Sequence, residues 1–207
     1  MKNEYAQWRK LDNAALAFPA VTGKNDTRVF RFYCELKEEI KEENLQEALE
    51  RTLEKYPLFR AVLRKGLFWF YLERRDIPAV VKKEAGAPCS GLYIPDKKTL
   101  LFRVSYYKNR INFEVFHALT DGTGAMHFLM ELVKNYLYLA HQKEGLEPVS
   151  MLPEDMTVQD QESDSFLKYY SKDQKRPKEK KTRAFQIRRK KKDGNHLHVH
   201  ESVVSVK

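Results

Sequence analysis

Residues 111 to 140 constrain the chain most, because the hydrophobic period changes once inside them and breakers mark the place. Ile111, Phe113 and Val115 alternate with Asn112 and Glu114, the period-two pattern of a strand that buries one face. Thr120-Asp121-Gly122-Thr123-Gly124 interrupts it, and Met126 to Ala140 then carries a helical apolar stripe with Phe128, Leu129, Leu132, Val133 and Tyr136. Continuing the strand alternation puts His117 on the apolar face at the strand's end. A strand, a tight turn and a helix thus hold one inward imidazole, with Asp121 four residues on.

The upstream chain reads as strands and one more helix. Trp8, Leu11, Ala14, Leu16 and Phe18 before Pro19 predict an apolar arm on the core. Thr27 to Leu36 alternates as a strand, with Phe30, Phe32, Cys34 and Leu36 on one face and Arg31, Tyr33 and Glu35 on the other. Leu45, Ala48, Leu49, Thr52, Leu53 and Tyr56 recur at helical spacing until Pro57 stops the helix. Leu58–Leu63 and Leu67–Leu72 flank Gly66 as a hairpin, and Leu100–Tyr107 pairs antiparallel with the 111–116 strand across Lys108-Asn109-Arg110. Between them, residues 77 to 95 contain three Pro and two Gly and read as a surface connection with a short strand near Val80. The predicted fold is α/β, a mixed and largely antiparallel sheet flanked by helices.

Charge divides the chain. Residues 168 to 192 hold 13 Lys or Arg against Asp173 and Glu179, a local balance of +11, so the total of +9 leaves 9 − 11 = −2 elsewhere. Residues 1–146 form the expected folded lobe, 147–182 a polar, basic linker, and 183–207 two strands, 183–188 and 196–206. No apolar run is long enough to span a bilayer and no signal-peptide core follows Met1, so a cytoplasmic location is expected. Cys34 and Cys89 have no metal or redox spacing and read as structural. His196, His198 and His200 share a strand face, but adjacent rows lie roughly 7 Å apart, so a solvated face suits them better than one zinc ion. His127 and His141 receive no role.

His117-x-x-x-Asp121-Gly122, leaving a strand and entering a helix, resembles the His-x-x-x-Asp-Gly motif of the chloramphenicol acetyltransferase-like superfamily, which includes alcohol acetyltransferases and condensation domains. The resemblance implies one lobe of a two-lobed fold, since such enzymes are about twice this length. It implies His117 as general base, acyl-CoA as donor, a small alcohol or amine as acceptor, and no bound cofactor or metal. Phe116 stands where many condensation domains have a second His, which favours a small-molecule acyltransferase over a peptide-bond former. Asp121 and Gly122 would support the site, Asp121 by pairing with an Arg for which Arg28, Arg31, Arg60 and Arg103 are candidates, and Gly122 by allowing close backbone approach; Thr120 and Thr123 would cap the helix. A missing second lobe or a homo-oligomer would complete the channel.

Three other readings compete with this one. An acyl or peptidyl carrier protein replaces free CoA in a condensation-type domain. The basic segment binds nucleic acid or an acidic partner while the motif only packs, although a nucleic-acid reader would add aromatic platforms and only Phe185 interrupts the run. In the plainest reading His117 is a core residue and Asp121 a cap. The basic segment would also attract the phosphates of CoA or an acidic carrier.

Overall fold

A computed structural model describes residues 8–11, 15–23, 26–67, 69–95, 97–142 and 202–203. The chain divides into two units, residues 1–169 and 170–207. In the second, only Ser202 and Val203 are described; both are exposed and outside helices and strands. The strands expected at 183–188 and 196–206 and the linker at 147–182 otherwise fall outside the described residues.

The first unit runs β1 (Trp8–Lys10), α1 (Ala17–Val21), β2 (Val29–Glu35), α2 (Glu42–Lys55), a 3-10 turn (Pro57–Arg60), β3 (Ala61–Lys65), β4 (Phe70–Arg74), β5 (Lys82–Lys83), β6 (Phe102–Tyr107), β7 (Arg110–Phe116) and α3 (Gly122–Ala140). The strands form two sheets. An antiparallel three-stranded sheet has the order β1-β4-β3, and a mixed four-stranded sheet has the order β2-β7-β6-β5 with β5 parallel to β6. The N-terminal arm is therefore more than apolar packing: Trp8–Lys10 pairs with β4, while Leu11 and Ala15 reach the core.

Each half of the four-stranded sheet's register explains one layer. The rows Phe30–Val115–Phe102 and Phe32–Phe113–Val104 turn apolar side chains toward α2 and α3. Helix α2 buries Leu45, Ala48, Leu49, Thr52 and Leu53, and α3 answers with Ala125, Phe128, Leu129, Leu132 and Tyr136. Phe128 is the centre, stacked on Phe59 at 4.1 Å and on Phe113 at 4.8 Å between ring centroids. Burial of these rings, each removing roughly 150–250 Å² from water, is the main force holding helices to sheet. Polar links set the helix pair's register. The Lys41 N–H donates to the Tyr136 hydroxyl at 3.0 Å, and Asn135 Nδ2 to Thr52 Oγ1 at 3.0 Å.

The opposite rows carry Arg31–Glu114–Arg103 and Tyr33–Asn112–Ser105. A period-two strand with one polar face predicts solvent there, yet Asn112, Glu114 and Ser105 are buried. Their cover is the 77–95 connection, which crosses this face: Tyr93 stacks on Phe116 at 5.5 Å, and the Cys89 N–H donates to Glu114 Oε1 at 2.7 Å. That segment is thus a structural layer as well as a connection. Cys89 adopts φ +55° to make the bond, a left-handed conformation uncommon outside glycine.

Candidate active site

His117 follows directly on β7 and opens the turn into α3. Its N–H donates to the Arg28 carbonyl at 2.9 Å, which continues the β2–β7 ladder one step past the strand, so the backbone is fixed before the side chain is considered. The ring is half-buried in an aromatic clamp. Phe18 of α1 lies flat on it, 4.3 Å between centroids and 13° between planes, and Phe30 of β2 leans on it at 4.9 Å. Within this clamp Nδ1 is buried and has no hydrogen-bond partner among the described residues. A buried polar atom without a partner is uncommon in folded proteins and calls for an explanation, such as a ligand or catalytic role.

Asp121 caps α3. Its backbone is extended and its Oδ1 accepts from the Gly124 N–H at 2.8 Å, satisfying one of the first amides of the helix. The acidic side chain also sits where the helix dipole favours negative charge. None of the four arginines considered from the sequence reaches it. Arg28 pairs with Asp26, Arg60 with Glu50 and Asp76, Arg31 with Glu84 and Glu114, and Arg103 with Glu114. The reason lies in register. Glu114 is directly opposite both Arg31 and Arg103, whereas Asp121 is exposed, beyond the ladder.

The crowded glycine of the turn is Gly124. A Cβ there would collide with the Thr120 hydroxyl and come 3.4 Å from Asp121 Oδ1, whereas one at Gly122 would meet nothing closer than Phe32 Cζ at 4.0 Å. The cap itself is Asp121, as the plainest reading of the sequence has it, and not Thr120 or Thr123.

Next to this turn, on the other face of the sheet, is an ionic network the sequence did not reveal. Arg31 Nε lies 3.2 Å from Glu114 Oε1, Arg103 Nε donates to Glu114 Oε2 at 2.8 Å, and Arg110 and Asn112 converge on Glu84. Burial works to raise the Glu84 carboxyl, but hydrogen bonds and charge from Arg31 and Arg110 outweigh it and hold the group below its ordinary value. Burial pushes the Cys34 and Cys89 thiols up, with help from Glu35 and Glu114 respectively, so neither is primed as a nucleophile. Among the described residues no group of three or more His, Cys, Asp and Glu is placed to hold a metal, and no helix is long and apolar enough to cross a membrane.

No protein-family model and no curated protein matches the chain. Solved structures do match. The starter condensation domain of rhizomide synthetase RzmA superposes with a TM-score of 0.53 at 13% identity, over 70% of this chain and 40% of that one. The fold is similar to part of a condensation domain. A variant of the same RzmA domain, solved in complex with C8-CoA, superposes with a TM-score of 0.53 at 16% identity over 70% of this chain and 38% of its own. The X-domain in complex with OxyB from teicoplanin biosynthesis gives 0.56 at 13%, over 76% of this chain and 37% of that one. The chain therefore spans about two-fifths of the length of these condensation-type structures. The mixed α/β architecture is the one the sequence resemblance implied.

Proposed function

We propose that this chain carries the base-bearing part of a thioester-dependent acyltransferase, with His117 as general base. The observation that carries the proposal is the clamped imidazole whose buried Nδ1 lacks a partner, at the end of a strand in a condensation-type fold. In the reaction, neutral His117 takes the proton of an acceptor hydroxyl or amine as that oxygen or nitrogen attacks the thioester carbonyl. The C–S bond then breaks, the acyl group stays on the acceptor, and the thiolate leaves with the proton returned by the imidazolium. Acyl-CoA is the favoured donor, since one domain of this fold was solved with C8-CoA; the acceptor is a small alcohol or amine and the setting the cytoplasm. A carrier-protein thioester is the alternative donor. In both cases the remaining wall of the channel comes from a further lobe or another chain.

The test is thiol release from acetyl-CoA and octanoyl-CoA, and from a carrier-bound acyl thioester, with a panel of alcohols and amines. Acceptor-dependent release that falls by roughly a hundredfold or more in His117→Ala is expected. Release unaffected by the substitution would remove His117 from the mechanism. If no donor supports release, the second reading gains. That reading is a non-catalytic domain, supported by the X-domain seen in complex with OxyB and by Asp121, which acts as a helix cap and forms no ion pair among the described residues.

A further inference from the structure

The two edges of the four-stranded sheet are built differently. At one edge β5 is two residues long and both are lysine, a device that keeps other strands from adding. At the other, β2 is seven residues long, contains no Pro, Gly or Lys, and pairs residue for residue with β7 without a bulge. Among the described residues no strand pairs with its outer side.

The ladder fixes which groups face outward. Leu36 N–H donates to Asn109 and the Arg28 carbonyl accepts from His117, so residues 28 and 36 bond toward β7. Antiparallel ladders alternate, so residues 30, 32 and 34 do the same and Val29, Arg31, Tyr33 and Glu35 turn their N–H and C=O groups to the free edge. Tyr33 is 51% exposed at the middle of that row. Glu35 forms no ion pair among the described residues.

We infer that the β2 edge is the docking surface for a second copy of this chain, joined antiparallel about a two-fold axis at Tyr33. The sequence of β2 is complementary to itself in that register. Tyr33 faces the partner's Tyr33, and Arg31 and Glu35 each exchange two backbone hydrogen bonds with their opposites, while the Arg31 guanidinium stays on Glu84 and Glu114. On the helix-facing side Phe30 meets the partner's Leu36 and Phe32 meets the partner's Cys34, both apolar contacts. A shift of one residue would set outward-facing groups against groups already bonded to β7, so one-residue slips are excluded. His117 is level with residue 28, five residues from the axis, so the two imidazoles lie roughly 35 Å apart or more at about 3.4 Å per residue. Each copy keeps its own site.

Two measurements on the full chain test this, and neither needs the acyl-transfer reaction. In sedimentation equilibrium the parent chain dimerises, and Tyr33→Pro weakens the dimer roughly thirtyfold or more by deleting two central hydrogen bonds. The Tyr33 N–H faces outward, so that change leaves the β2–β7 ladder intact. Independently, Phe32→Cys sets a thiol opposite the partner's Cys34 in a non-hydrogen-bonded pair, with Cα atoms about 4.5 Å apart, and mild oxidation links two chains. The link should vanish when Cys34→Ser is added. A parent chain that stays monomeric at all concentrations overturns the inference. So does a dimer that Phe32→Cys does not cross-link, because the copies then meet elsewhere.

Discussion

The two faces of the four-stranded sheet are both buried, and by opposite means. Toward the helices, Phe102, Phe113, Val115 and Phe128 fill space, and their contribution depends on volume. Away from them, Glu114 and Asn112 are as dry as Phe113, but what holds that side is pairing: two guanidiniums and a backbone N–H on one carboxylate. Dispersion and hydrophobic burial are non-directional and tolerate a change of shape. A buried charge tolerates only the loss of every partner at once.

Near-isosteric substitutions on the two faces should separate these behaviours. Glu114→Gln keeps the volume but removes the charge that Arg31 and Arg103 share, and is expected to cost about 3 kcal/mol in urea unfolding. Phe113→Leu, in the adjacent position of the same strand, should cost about 1.5 kcal/mol. If the two costs are reversed, the ionic face is decoration and the difference drawn here fails. A smaller effect tests how α3 is anchored on the helical side. Asp121→Ala should cost about 1 kcal/mol and Asp121→Asn only a few tenths, since Asn still accepts from Gly124; equal losses would show that the charge matters and the cap does not.

The faces should also fail at opposite ends of the pH scale. Glu84 titrates below its ordinary 4.5, so its contribution is complete above that value and is lost as pH falls through the lowered folded value. Tyr56 lies against Phe59 and Phe128, and burial, then the charge of Glu131, pushes its hydroxyl up to about 12 from 10.0. Its contribution is complete below 10 and is lost as pH rises from there through about 12. Unfolding followed against pH should therefore show an acid limb flattened by Glu84→Gln and an alkaline limb flattened by Tyr56→Phe. At neutral pH Tyr56→Phe should be close to silent, because the hydroxyl has no hydrogen-bond partner among the described residues.

Local periodicity explains what was legible. Helices α2 and α3, the hairpin at Gly66 and the β6–β7 pair follow from apolar spacing and breakers, and each is present with ends shifted by a few residues at most. Alternation alone points His117 inward, and its ring packs on Phe18 and Phe30. What periodicity does not carry is partnership between distant segments. Arg31 and Arg103 are candidate partners for Asp121 on sequence because nothing there says that both face Glu114; that follows only once β2, β7 and β6 are in register. The layer over Glu114 is invisible in the sequence for a related reason: residues 77 to 95 have no repeat because they cover a face instead of forming one. The crowding at Gly124 likewise depends on where the Thr120 hydroxyl points, a matter of turn geometry that two glycines in sequence leave open.

The pairing of β2 with β7 has a consequence for synthesis. Phe32 is opposite Phe113, so 113 − 32 = 81 residues must be added after the aromatic strand is made before its in-sheet neighbour exists. At roughly 5–20 residues per second, a ribosome leaves that strand waiting for about 4 to 16 s with both edges bare and its phenylalanines uncovered. During that interval, before β7 and His117 have been translated, the nascent chain is most open to chaperones and to pairing with the wrong neighbour.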